Sequence, residues 1–290
     1  MPLPLKPGYN LYIDRKCKPS DYEMSQLEIY RDYYGMSYTV SGNRKFIMPN
    51  MIAFLHGGSI GITMKDVYHK TSFVDNTPYE RFVLKFTDVV LEPLIKVIGR
   101  DTFDELYSYP VYNFTPEIQN KLYHIYCDML YEYEHYSNES ELILSGMLHN
   151  LIMTVIRHHL PINPKDVELS ETDHSILSAM DYIEHNFLKD PSLSETAKHI
   201  GLSSSHFSRI FKQATGVSYS EYLNYIRVEH GRKLLLTTSL SISEIAQFSG
   251  FDNGNYFCNV TKKLLGCSPS EIRKSAIDIS LKTKHNTKKI

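Results

Sequence analysis

The side chains best suited to chemistry in this 290-residue chain fall on two repeated stripes. In the first, Ser205, Ser208, Arg209 and Lys212 recur every three or four residues and share one helix face. In the second, Asn255, Cys258, Asn259 and Lys262 do the same. Hydroxyls, amides and a guanidinium at this spacing can trade hydrogen bonds with an edge rich in donors and acceptors, and an ammonium one turn on can meet a phosphate. The opposite faces are apolar: Phe207, Ile210 and Phe211 in one, Phe257 and Val260 in the other. They must be buried for the polar stripes to be held in place.

The elements that position these stripes also repeat. Ser192 and Glu195 have the spacing of a capping box, predicting a short helix to about Ile200 that Gly201 closes in a left-handed turn. Ser203 then caps the helix carrying the first stripe. In the second copy Ser241 and Glu244 repeat the capping box, Ala246 repeats Ala197, and Gly250 repeats Gly201. Gly216 and Gly266 end the two stripe-bearing helices. Two short helices joined by a Gly turn have the form of a DNA-reading helix-turn-helix. A hairpin in any all-α core shares that form, and the recurrence is what favours the DNA reading. Ser218 to Thr237, with Tyr222, Ile226, Leu234 and Leu235 at helical spacing and no Pro, predicts one long helix between the copies. Its span of about 30 Å is close to the roughly 34 Å between major-groove segments on one face of B-DNA.

From about 172 to 274 the chain resembles the DNA-binding domain of the AraC/XylS family of bacterial transcription regulators. Ser203, Phe207, Arg209, Phe211, Lys212, Gly216, Tyr222, Arg227 and Leu235 carry the resemblance in the first half. Gly250, Phe251, Tyr256, Phe257, Lys262, Gly266, Ser268, Pro269 and Arg273 carry it in the second. The resemblance implies that Ser205, Ser208 and Arg209 reach base edges. Arg209 is the foremost, because a guanidinium can bond O6 and N7 of guanine together. Lys212 and Lys262 are expected on phosphates, and Asn255, Cys258 and Asn259 on bases in the second half. There the chain departs from the family pattern, with Asn259 where Arg or Lys is common, Gly254 without a side chain, and Thr261 in place of Phe. Two readings stay open: adenine contacts through Asn255 or Asn259, or backbone contacts and shape readout. Gly231 stands where Ala is usual, at a helix cost of roughly 1 kcal/mol.

Length and charge point to two domains: residues 1–160, a linker at 161–171 with two prolines, a DNA-binding domain at 172–275 and a basic tail at 276–290. The net charge of −2 hides an asymmetry, since residues 172–290 hold 15 Lys and Arg against 11 Asp and Glu. The basic half is the one with the stripes, as counterion release requires. The N-terminus has no apolar signal-peptide core, so a cytoplasmic protein is expected. Cys17, Cys127, Cys258 and Cys267 show no zinc spacing and are expected as reduced thiols.

Between Tyr34 and Phe86 short runs predict strands: Met36 to Val40, Phe46 to Met48, Met51 to Leu55, Ile60 to Thr63, Val67 to His69 and Arg81 to Phe86. Gly57-Gly58, Asp66 and Asn76-Thr77-Pro78 punctuate them. Helices are predicted at Pro116 to His135 and Glu139 to His159, a hairpin that caps the sheet or meets a second subunit. The fold class is therefore α+β: an antiparallel β-barrel with a helical hairpin, then an all-α domain with two helix-turn-helix motifs joined by a long helix. The arrangement is similar to the cupin-like effector domain of many AraC/XylS members. That likeness implies a small-molecule effector, a sugar or aromatic metabolite, with Tyr38, Tyr68, His69 and Arg81 on pocket-lining strands. It further implies a homodimer, RNA polymerase as a partner and an activator's role. No cofactor is expected. His56 and His69 are thirteen apart and do not make a cupin metal set, and there is no Gly-x-Ser-x-Gly elbow or Walker loop, so no enzyme is expected. An effector-independent regulator of the same family and a cupin enzyme fused to a DNA-tethering domain remain as alternatives.

Overall fold

The computed structural model describes residues 9–19, 24, 28–49, 51–75, 77–107, 109–160 and 169–274. The chain divides into two compact units, Met1–Ser170 and Glu171–Ile290. Residues 161–168 of the linker expected at 161–171, and the whole basic tail expected at 276–290, lie outside the described residues.

Among the described residues, unit 1 has nine strands in two antiparallel sheets. The first contains β1 (Leu11–Lys18), β8 (Tyr79–Phe86), β3 (Tyr34–Ser41), β6 (Ile60–Thr63) and β9 (Val111–Tyr112), in that spatial order. The second contains β2 (Glu28–Ile29), β7 (Tyr68–Phe73), β4 (Arg44–Met48) and β5 (Met51–Leu55). This corrects the expectation of a closed barrel. From β3 onward the chain passes from sheet to sheet at Gly42 (φ +82°), at the His56–Ser59 turn with Gly58 at φ +90°, and at Asp66 (φ +59°). Most sequence neighbours thus lie in opposite sheets and cannot pair, and each sheet closes its ladder within itself.

Four helices cover the apolar face of the first sheet: α1 (Asp88–Ile98), α2 (Arg100–Leu106), α3 (Pro116–Glu134) and α4 (Ser140–His158). Ile13, Met36, Tyr38, Phe82 and Leu84 from the strands pack with Leu91, Phe103, Leu122, Met129, Leu148 and Ile152 from the helices in one core. Each such fully buried side chain contributes about 1.5–3 kcal/mol of transfer free energy. The predicted hairpin is present as α3 and α4.

The described part of unit 2 is helical: α5 (Glu171–Asn186), a 3-10 turn (Phe187–Lys189), α6 (Leu193–His199), α7 (Ser204–Thr215), α8 (Tyr219–Thr237), α9 (Ile242–Phe248), α10 (Gly254–Leu265) and a last helical segment at 269–274. Since α5 starts at Glu171, Thr172 and Asp173 lie in its first turn and do not cap it, and Asp173 is buried. No helix among the described residues is long and apolar enough to cross a membrane.

Candidate nucleic-acid interface

Both copies in unit 2 are held by the same local devices. Ser192 Oγ accepts from Glu195 N while the Glu195 carboxylate accepts from Ser192 N, and Ser241 with Glu244 does the same for α9. Two further boxes, Ser218 with Glu221 and Ser268 with Glu271, start α8 and the helical segment at 269–274. These hydrogen bonds favour the ionised carboxylates and hold Glu195, Glu221, Glu244 and Glu271 below the ordinary glutamate range. Gly201 and Gly250, at φ +71° and +78°, turn the chain out of α6 and α9. Leu202 N then donates to Ala197 O, and Phe251 N to Ala246 O.

The stripe-bearing helices α7 and α10 are twelve residues each. Ser203 caps α7 by accepting from His206 N, and Asn253 caps α10 by accepting from Tyr256 N. Gly216 (φ +81°) and Gly266 (φ +74°) end them. With matching caps at both ends, Ser205 corresponds to Asn255, Ser208 to Cys258, Arg209 to Asn259 and Lys212 to Lys262. Ser205, Ser208, Arg209, Lys212, Asn255, Asn259 and Lys262 are all exposed, and Cys258 is half-buried. Each stripe is therefore presented to solvent on one helix face, and Phe207, Phe211, Phe257 and Val260 are buried on the other. The second turn holds one more residue than the first, Asp252, so α10 starts one step later after its Gly.

The long helix α8 ties the copies together, and here sequence reasoning missed two devices. Arg227, 7% exposed, donates through Nε and Nη2 to Phe187 O at 3.1 and 2.9 Å and through Nη2 to Asp190 at 2.7 Å. Its guanidinium also lies 6.0 Å from the Phe251 ring centroid and packs against Gly250, so it ties the turn ahead of the first copy to the second copy. Arg273 fastens the second copy by donating to Leu240 O at 2.6 Å. The second device is Gly231. A Cβ there would lie 2.7 and 2.8 Å from the Phe257 ring and 3.0 Å from Ser249 Oγ. What reads in sequence as a weak helix former is the gap that admits Phe257. A conspicuous signal was available for the extra boxes, the Ser-x-x-Glu spacing; for Gly231 there was none, because Phe257 is 26 residues away.

A helix-turn-helix domain family model matches residues 196–275. Among curated proteins, the chain is 35% identical over 134 residues to an uncharacterised helix-turn-helix-type transcriptional regulator, YfiF, of Bacillus subtilis, covering 45% of this chain and 42% of that one. Residues 196–275 thus carry a helix-turn-helix domain of the kind found in these transcriptional regulators. An uncharacterised transcriptional regulator of Staphylococcus aureus is 28% identical over 176 residues, covering 60% of this chain and 24% of its own. The chain thus spans less than half the length of either curated relative. Among solved structures, a regulator from Chromobacterium violaceum described as of the AraC-type DNA-binding-domain proteins is 29% identical, covering 36% of this chain and 92% of that one, with a TM-score of 0.35. The curated matches are transcriptional regulators and not enzymes.

The four effector candidates of unit 1 do not converge. Tyr38 sits in the core under the helices, donating to Gln119 O at 3.0 Å and packed on Tyr126. Tyr68 is fully buried in β7. His69 and Arg81 do meet, with Tyr30, Phe46 and Val83, around a cavity between the sheets of about 20 Å³. Burial first, then the Arg81 charge, pushes His69 down to about 3, so it is neutral across the physiological range. Near it Lys85 is buried with its ammonium 4.7 and 4.8 Å from the Tyr30 and Tyr33 ring centroids, and desolvation pushes it down to about 8. Among the described residues no group of three or more His, Cys, Asp and Glu is placed to hold a metal ion.

Proposed function

We propose that this chain is a sequence-specific regulator of transcription that binds double-stranded promoter DNA through α7 and α10. The observation that carries this reading is the pair of equally long, equally capped helices whose exposed stripes correspond residue for residue. Arg209 reads a guanine, Ser205 and Ser208 support it, and Lys212 and Lys262 meet phosphates. At the position of Arg209, α10 offers Asn259, whose amide can bond N6 and N7 of adenine, with Asn255 one turn before and Cys258 between them. The two half-sites therefore differ in base content.

For unit 1 the reading is effector binding and homodimer formation. The hairpin leaves Tyr131 (65%), Leu142 (80%) and Ile143 exposed, an apolar surface suited to a second copy. An activator's role and contact with RNA polymerase follow from the family resemblance. A water-sized space between the sheets favours a second reading, in which no metabolite binds there and the protein acts whenever it is expressed. The test is a titration of the full chain on promoter DNA from its own locus and on scrambled DNA, across a salt series. The proposal expects preference for promoter DNA and an affinity that falls steeply with salt; equal binding to both DNAs at every salt concentration refutes it.

A further inference from the structure

Unit 1 holds a roomier cavity than the one between its sheets, about 200 Å³ against about 20 Å³. It is bounded by Glu105 and Leu106 of α2, by Tyr109 and Tyr112 at β9, and by Ile156 and His159 at the end of α4. Tyr112 is fixed by donating its hydroxyl to Leu106 O at 2.7 Å, and its ring meets the His159 ring edge-on at 5.0 Å and the Tyr109 ring at 6.4 Å. Tyr109 is 49% exposed, so its ring is open to a ligand entering from solvent. Among the described residues no Lys or Arg lines the space, and the one carboxylate is that of Glu105.

We propose that this cavity binds a small organic cation of the quaternary-ammonium or alkylamine class. Aromatic rings carry negative charge on their faces and attract a cation within about 6 Å of the centroid. Glu105 adds a carboxylate at the rim that attracts a cation, while an anion would meet that carboxylate with no Lys or Arg among the lining residues to offset it. A neutral apolar molecule of the same size would desolvate Glu105 and gain nothing from it. Burial, with Tyr109 and Glu105 nearby, pushes the Tyr112 hydroxyl up to about 12, so the ring carries no charge of its own. The site lies at the sequence end of unit 1, where His159 precedes Leu160, whose N–H bonds to Asn113 O at 2.8 Å. It makes no use of the DNA-binding reading and stands or falls apart from it.

The test is direct binding to the full chain without DNA. Tetramethylammonium chloride is titrated while ring-proton shifts are followed by NMR, with tert-butanol as the neutral isostere and pivalate as the anionic one. Glu105→Gln and Tyr109→Leu alter exposed side chains, and unchanged circular dichroism melts confirm that both variants fold. Expected are saturable shifts with tetramethylammonium alone, weakened about tenfold in each variant. Absence of saturation, equal binding of tert-butanol, or undiminished binding by both variants overturns the proposal.

Discussion

Replacing Gly231 by Ala separates a helix's intrinsic preference from its packing. In an exposed helix the change stabilises by about 1 kcal/mol, because Gly loses more backbone freedom on folding. Gly231 is buried in α8, and the new methyl would approach two Phe257 ring carbons to under 3 Å. Phe257 cannot easily retreat: it is 0% exposed and packed against Phe251 at 5.2 Å between centroids. Overpacking of a well-filled core costs about 1–3 kcal/mol, so the packing loss outweighs the helix gain. Gly231→Ala is expected to destabilise unit 2 by about 1 kcal/mol net. Urea unfolding followed by helical circular dichroism measures it, since the chain has no Trp to report by fluorescence. Phe257→Leu shortens the ring side of the clash, so the double variant should be more stable than the sum of the singles predicts, by about 1 kcal/mol. A Gly231→Ala protein stabilised by the full helix-propensity gain would refute the packing argument.

Two further outcomes follow from the same frame. Arg227→Ala removes three hydrogen bonds that close the Phe187–Asp190 turn and should cost about 2–4 kcal/mol in unit 2, with Arg227→Lys intermediate because a single ammonium cannot reproduce the forked contact; chemical denaturation checks both. The four capping glutamates titrate lower folded than unfolded, so their contribution is complete above the ordinary value of 4.5 and is lost as pH falls through the lowered folded values. Unit 2 should therefore melt progressively earlier below that pH, and Glu195→Gln with Glu244→Gln should flatten the dependence; a melt with the same acid slope in wild type and variant contradicts this assignment.

Unit 2 was legible in the sequence because its determinants are local. Ser192 and Glu195, Gly201, or Phe207 with Phe211 lie within a turn or two of their partners, and that is what a helical pattern records. Unit 1 was legible only strand by strand. Met51–Leu55 and Ile60–Thr63 match their predicted bounds, yet which sheet each joins depends on turns at Gly42, Gly58 and Asp66 and on partners far along the chain. The helices α1 and α2 went without expectation: Pro93 interrupts the pattern of α1, and its Val89 and Val97 are exposed, blurring the apolar stripe. In β1 (LYIDRKCK) Leu11 and Ile13 are buried, and the largely polar run after them gives a weak signal. The effector candidates illustrate a different limit. Tyr38 and His69 both alternate correctly along strands, but Tyr38 faces the helices and His69 the space between the sheets. Sequence spacing assigns a face without saying what covers it.

The most direct test of the central claim is a double-mutant cycle across the protein–DNA contact. Wild type and Arg209→Ala are each titrated, as full chains, on promoter DNA and on a series with single G·C pairs replaced by A·T. The account predicts one guanine position where wild type loses about 1–3 kcal/mol and Arg209→Ala loses none, with both proteins responding alike elsewhere. If both proteins discriminate equally at every position, Arg209 reads no base and the assignment of α7 as a reading helix is wrong.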